Sequence, residues 1–363
     1  MHSQQPITSG TPALYQEWQQ LRTQHKGLRA RDAAQRLGVS EAELTASRLG
    51  VDCLRLRPDW RTLLGALESL GYVMALTRNE HCVHERKGHY RELTVMPSGQ
   101  MGMVVSADID LRLFMAGWDS VFAVEEETPR GTQRSIQIYD QQGTAVHKVF
   151  LTAQSELTAW TALCDSLRTA EQNAELNLQP LPAAEAVKDD ALIDAEALRN
   201  DWAALQDTHH FFALLRKHGC ARTQALRLAG REWAEPLAPE LLPQLLEQAA
   251  AGEVPIMVFV GNAHCIQIHS GPVNNLRWLD SWFNVLDSEF NLHLKTPAIA
   301  QLWRVRKPSS DGMVTSWEAF DEQGEMIVQL FGARKPGIPE RSDWRELAES
   351  FTAIPASGGA GER

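Results

Sequence analysis

The sequence predicts an α+β fold built by internal duplication, two similar halves each packing helices on a large antiparallel β-sheet. Three observations lead there. Residues 111–151 align without gaps on residues 292–332: Leu111-Arg112-Leu113 matches Leu292-His293-Leu294, and Gly131 matches Gly312. In the same block Ile138-Tyr139-Asp140-Gln141-Gln142-Gly143 matches Ala319-Phe320-Asp321-Glu322-Gln323-Gly324, and Phe150 matches Phe331. Upstream, Tyr72 to Val83 (YVMALTRNEHCV) is similar to Pro255 to Ile266 (PIMVFVGNAHCI), and Trp18-x-x-Leu21 recurs as Trp202-x-x-Leu205. Matches that keep their order mark two copies of one unit, and the period is far too long for a solenoid. Finally, in each copy helical patterns come before a block of short strands, the order expected of helices packed on an antiparallel sheet.

The elements follow in chain order. The opening MHSQQPITSG reads as a frayed tail. Helical periodicity covers Leu14–Leu28, Arg31–Leu49 and Asp59–Leu70 in the first copy, and Ala197–Lys217, Thr223–Leu228 and Glu240–Ala250 in the second. Runs rich in Val, Ile, Phe and Trp, bounded by Gly, Asn, Asp and Pro, read as strands at Met101–Val105, Leu111–Phe114, Ser120–Glu125 and Ser135–Tyr139. Residues 1–176 form the N-terminal repeat. Residues 177–194 (NLQPLPAAEAVKDDALID) are rich in Pro, Ala and Asp and read as a linker. Residues 195–354 form the C-terminal repeat, and 355–363 (PASGGAGER) are expected to be disordered.

With 363 residues, 44% hydrophobic and 22% charged, the chain suits two ordinary domains with separate cores. No run of about 18 apolar residues and no basic-plus-apolar leader is present, which points to the cytoplasm. The five cysteines (Cys53, Cys82, Cys164, Cys220, Cys265) form no CxxC pair, against a disulfide framework or an iron–sulfur site. A formal charge of −11 disfavours a broad nucleic-acid surface. Walker, dinucleotide-binding and GxSxG signatures are absent from the sequence.

The stretch Asn200–Gly230 carries the chemistry. Wound as one helix, Trp202, Leu205, His209 and Phe212 share a stripe that is apolar except at His209. An imidazole on an apolar wall, followed after Gly219 by Arg222, suits a flat, anionic, metal-bearing ligand. A single histidine on such a face is more often a hydrogen-bonded core residue, while His210 points to a different side. Comparison of the copies adds cations. Arg222 falls opposite Glu41, Lys307 opposite Glu126, Arg306 opposite Glu125, and Gln329 opposite Lys148. If the fold brings Arg222 and Lys307 together, the pair would hold a dianion. Ordinary drift of surface charge after duplication is the alternative.

Two other constellations compete. Arg31–Arg48 has helix-turn-helix spacing, with Ser40 and Glu43 as a capping box. Glu41 and Glu43 stand where a DNA reader needs cations, which favours a structural hairpin. His81-Cys82-x-His84 with His89 offers metal-ligand types, but alternation along a strand sends His81 and Cys82 to opposite faces.

The duplicated layout, the opening LYQEWQQLR…RDAAQRLGVSEAEL and the second-copy set DTHHFFALLRKHG…AR, RVRKP and QLFG resemble the bacterial cytoplasmic hemin-transport or hemin-degrading factors of the HemS/ChuS/PhuS type. The resemblance covers the chain between its tails. It implies two similar α+β halves with one heme held between them, as heme b. It implies His209 as the axial iron ligand, with His210 as the alternative. Contacts on the propionate side would come from Arg222, Lys307 and Gln329, with Phe331 where the family often carries tyrosine. Arg112 would face the iron from the N-terminal half. A guanidinium offers no lone pair, so it would act through an iron-bound water or hydroxide. The function implied is heme trafficking for iron acquisition, an inner-membrane importer as donor and a cytoplasmic heme oxygenase as acceptor. A heme-degrading monooxygenase using the same centre is the alternative, and a DNA-binding regulator through residues 31–48 a third.

Overall fold

A computed structural model of the chain describes residues 12–181, 187–335 and 337–355. The expected frayed start, part of the linker and nearly all of the expected disordered tail lie outside these residues. The described chain forms two compact units. One draws on Met1–Arg78, Glu85–Pro182 and Asn262–Gln267, the other on Asn79–His84, Ala183–Gly261 and Ile268–Arg363.

The N-terminal half runs α1 (Pro12–Gln24), α2 (Ala30–Leu37), α3 (Glu41–Ala46), β1 (Cys53–Leu56), α4 (Trp60–Ala66), β2 (Gly71–Arg78), β3 (Cys82–Gly88), β4 (Leu93–Val95), β5 (Met101–Val105), β6 (Asp110–Phe114), β7 (Trp118–Thr128), β8 (Gly131–Asp140), β9 (Ala145–Ser155) and α5 (Leu157–Leu167). The C-terminal half repeats that order. It runs α6 (Ala195–Ala203), α7 (Phe211–His218), α8 (Arg222–Ala229), β10 (Ala234–Leu237), α9 (Leu241–Ala251), β11 (Ile256–Asn262), β12 (Cys265–Gly271), β13 (Leu276–Leu279), β14 (Trp282–Leu286), β15 (Phe290–Lys295), β16 (Gln301–Ser309), β17 (Gly312–Phe320), β18 (Met326–Gly332) and α10 (Ser342–Glu349).

Strand pairing repeats as well. In the first unit β1-β7-β8-β9-β2 lie side by side, all antiparallel, and β6-β5-β4 form a meander. In the second unit β10-β16-β17-β18-β11 and β15-β14-β13 do the same. Even the turns agree. Asp140 Oδ1 accepts from the Gln142 and Thr144 amides, and Asp321 Oδ1 from the Gln323 and Glu325 amides. Gly143 and Gly324 close these turns at φ of 78° and 81°, where a side chain would be strained. The duplication and the α+β class read from sequence are the architecture observed.

Alternation sorts each sheet into two faces. In the second unit, Leu302, Trp317, Ala319, Val328, Leu330 and Val258 pack under α9 and α10 in one core, around buried Trp344. Trp303, Val305 and Phe320 face the other way, into a second core with Trp202, Phe211, Leu226 and other residues of α6–α8. Burial of each large side chain contributes roughly 1.5–3 kcal/mol, so these two layers fix the sheet that carries the site.

Candidate functional site

The second face of the β10-β16-β17-β18-β11 sheet is only partly roofed. Register aligns Trp303, Glu318, Gln329 and Phe259 in one row across β16, β17, β18 and β11. Val305, Ser316, Phe331 and Met257 form the next row. The helices cover the β16 end, burying Trp303, Val305, Glu318 and Ser316. Gln329, Phe331, Phe259 and Met257 stay partly open, with the Phe259 and Phe331 rings 5.0 Å apart at their centroids. The result is an apolar floor with one amide, bordered by a buried carboxylate.

At the border, two cations converge on Glu318. Arg222, at the start of α8, gives it a two-point pair through Nε and Nη2 at 2.8 and 2.9 Å. Lys307 Nζ, from β16, lies 2.6 Å from Glu318 Oε1, to which the Ser316 hydroxyl also donates at 3.0 Å. Both cations sit over the Phe211 ring, Arg222 at 5.0 Å and Lys307 at 4.7 Å from its centroid. Burial alone would raise the Glu318 carboxyl, yet the Arg222 and Lys307 charges outweigh it and hold it well below the usual carboxylate range. Burial pushes the Lys307 ammonium down to about 8, against the pull of Glu318. The side chain of Lys307 is 3% exposed and that of Arg222 27%, so Arg222 is the cation a ligand can reach.

His209 does not ride a buried helical stripe. The single helix expected over Ala197–Lys217 is two, because α6 stops at Ala203 and Asp207 starts a new turn. Asp207 is extended (φ −150°, ψ 132°), and its side chain accepts the His209 amide as an N-cap. Thr208–His210 form one 3₁₀ turn leading into α7. The consequence is a swap of faces: Phe211 is buried against Trp202, and Phe212 is 68% exposed. His209 and His210 both stand in solvent.

Exposure leaves the His209 ring open to a ligand. Its Nδ1 lies 2.7 Å from Asp207 Oδ1, which also accepts the His209 amide at 2.9 Å. The bonds from the His209 amide and ring hold the Asp207 carboxyl below its usual range, so it is an anionic acceptor. With Nδ1–H donating to Asp207, the Nε2 lone pair of His209 is left free to meet a metal, the usual carboxylate–histidine arrangement. The turn is tethered to the sheet: the Gln206 carbonyl accepts the Ser310 amide at 2.9 Å. Two residues after His209, Phe211 touches both cations. Asp207 and Glu318 are the residues sequence reasoning missed. The D-x-H spacing signals the first; the second is brought to Arg222 and Lys307 only by strand pairing.

The remaining residues fall elsewhere. Arg112 lies on β6 in the first unit, where its guanidinium donates to the Asp110 carboxylate and to the Leu111 carbonyl. Arg306 points to the opposite sheet face from Lys307 and binds Glu349 and Glu235, a structural cluster. The first unit closes the place matching the cation cluster with reversed polarity. Glu41 of α3, opposite Arg222, lies 3.9 Å from Lys148, opposite Gln329, and accepts the Ala145 amide. Glu126, opposite Lys307, is held by Arg22 and Arg48.

The helix-turn-helix-like segment is a packed hairpin. The Ser40–Glu43 capping box forms, with bonds of 2.8 and 3.1 Å. Helix α3 buries Glu41, Ala42, Leu44, Thr45 and Ala46, leaving no free face to enter a groove. Along 81–89 the metal-ligand types diverge. Cys82 fills a core, His84 packs on Phe290, and His89 lies 3.5 Å from Asp108.

The haemin-degrading HemS.ChuX domain family matches this chain twice, at residues 38–167 and 219–351. The hemin transport protein HmuS of Yersinia pestis is 44% identical over 338 residues, 92% of this chain and 96% of that one. Holo-PhuS, a heme-binding protein from Pseudomonas aeruginosa, superposes with a TM-score of 0.93 at 69% identity, covering 95% of this chain and all of PhuS. The heme degrading enzyme ChuS of Escherichia coli O157:H7 gives 0.88 at 38% identity, covering 95% and 99%. The chain therefore belongs to the HemS/ChuX-domain family, as the tandem, two-unit type to which PhuS and ChuS are similar.

Proposed function

We propose that the protein binds heme b in the cytoplasm, receives it after import, and passes it on for iron acquisition. The observation that carries this is the Asp207–His209 pair, which frees Nε2 of an exposed imidazole two residues from the Phe211–Arg222–Lys307 cluster. Beside that cluster, Phe259, Phe331, Met257 and Gln329 offer an open apolar floor of the kind a porphyrin face covers. HmuS and PhuS, described as hemin transport and heme-binding proteins, support the reading. Among the described residues no helix is long and apolar enough to cross a membrane, which is compatible with a cytoplasmic protein.

In this reading His209 would hold the iron through Nε2, with His210 the reserve. Arg222 would meet a propionate, Gln329 and Phe331 would line the floor, and Arg112 is proposed as a further contact to the heme. One histidine on an exposed turn gives a grip that an acceptor can break. Bound heme would bring redox chemistry with O₂ of its own. ChuS, described as a heme degrading enzyme, keeps the second reading in view.

The test is to load the protein with hemin, then supply a reductase, O₂ and catalase, and separately an apo heme oxygenase. The expected result is an intact porphyrin spectrum in the first case and transfer of heme to the oxygenase in the second. Stoichiometric CO with a biliverdin-type product would assign the protein to degradation.

A further inference from the structure

We infer that a trough within the first unit, with Asp119 and Ser120 of β7 at its centre, binds an aliphatic polyamine and seats one ammonium group against those two side chains. The inference is independent of the heme-binding reading. After α5, residues 168–181 run back along β1 as an irregular strap. Gln172 Oε1 accepts the Arg55 amide at 2.8 Å, and Arg55 Nη1 donates to the Asn173 and Glu175 carbonyls at 3.1 and 2.7 Å. Further on, the Gln179 amide donates to the Gln141 carbonyl at 2.7 Å. Between this strap and the start of β7 lies a cleft of about 760 Å³, the size of a small-molecule site. A second lobe of about 380 Å³ shares Asp119 and Asn177 with it, so the trough is elongated.

The lining selects the ligand. Pairing with β8 shifts register between Trp118 and Ser120, which makes Asp119 the extra residue of a bulge, a device that re-aims side chains. Ser120 alternates with Val121, which enters the other core, and so shares the face of Phe122 and the strap residue Leu176. It lines the cleft and is 3% exposed, and its hydroxyl has no hydrogen-bond partner among the described residues. A ligand N–H donated to that oxygen would remove the cost of an unmade bond. The Asp119, Glu171 and Glu175 carboxylates likewise have no partner among the described residues. Three carboxylates against the one guanidinium of Arg55 leave the lining negative. Burial pushes the Asp119 carboxyl up, Arg55 pulls it down and Asp140 adds to the rise, so a bound cation would relieve it. Among the described residues no group of three His, Cys, Asp or Glu is close enough to hold a metal ion. Carboxylates dispersed along a trough suit charges spaced along a chain, and Leu56 and Leu176 offer apolar wall to the methylenes between them. The second unit has no such step: Ala300 matches Asp119, and Gln301, matching Ser120, already accepts from Trp303 Nε1.

The experiment is a calorimetric titration of the whole chain with spermidine. Salt of about 0.15 M suppresses diffuse attraction to a chain of formal charge −11. The expected result is a saturable 1:1 complex, with butylamine, which carries a single charge, at least about tenfold weaker. Asp119→Asn should weaken spermidine by at least about tenfold and Ser120→Ala by about fivefold, both with native circular dichroism. Glu247→Gln, on the exposed side of α9 in the second unit, should leave the affinity unchanged. No saturable complex in the wild type would overturn the inference. So would wild-type affinity in either folded trough variant, or an equal loss in Glu247→Gln. If Asp119→Asn does not fold, Ser120→Ala decides.

Discussion

Glu318 and Arg222, 96 residues apart in sequence, meet in a two-point ion pair of 2.8 and 2.9 Å at the edge of an open sheet face. The pair ties helix α8 to strand β17 and sets the direction of the guanidinium before any ligand arrives. It also explains why Lys307 can sit in an almost closed position: its charge is answered from within the protein.

The partner of His209 yields the first prediction. Asp207→Ser keeps an oxygen to cap the His209 amide but removes the carboxylate from Nδ1. Hemin affinity should fall by about tenfold, at the low end for loss of a ligand's hydrogen-bond partner because the pair is solvated. Thermal stability should change by less than about 0.5 kcal/mol. Unchanged affinity in a Soret titration would show that Asp207 does not tune the ligand.

A second prediction concerns acid. In the first unit His147 is buried between Thr77 Oγ1, 2.8 Å from Nδ1, and Tyr90 Oη, 2.6 Å from Nε2. Burial pushes the imidazole down to about 3, so the folded protein keeps it neutral while an unfolded chain protonates it near 6.5. Between those values the unfolded state binds the extra proton, so stability falls as pH drops, by about 1.4 kcal/mol per unit at the steepest. The matched positions of the second unit are Val260, Val273 and Val328, which cannot titrate. Urea unfolding of His147→Gln at pH 4.5 and 6.5 should therefore show a shallower acid loss than the wild type. An equal loss would mean that other groups set the acid limb.

A third follows from close packing. A Cβ on Gly332 would lie 2.5 Å from Trp344 Cγ, in the core beneath α10. Gly332→Ala should cost about 1–3 kcal/mol through overpacking. Calorimetry showing a wild-type melting point would mean α10 moves aside freely.

Much of this was legible before any coordinates. The duplication read from Asp140–Gly143 and Asp321–Gly324 appears as two identical Asx turns, and Ser40–Glu43 forms the capping box its spacing announces. Local chemistry of this kind is written in adjacent residues. The helix through His209 was misread because Trp202, Leu205 and His209 keep a helical period by chance, while Asp207 stops the helix with a cap two residues ahead. Glu318 was invisible for another reason. Charge comparison between copies finds residues that differ in sign, and the match to Glu318 is the neutral Gln137. Its role depends on tertiary convergence, which periodicity does not encode.

The most direct test of the account is a hemin titration of wild type, His209→Ala and His210→Ala, read by the Soret band. The account predicts a saturable 1:1 complex whose band shifts or weakens in His209→Ala and is kept in His210→Ala. An unaltered band in His209→Ala, at wild-type affinity, would contradict it.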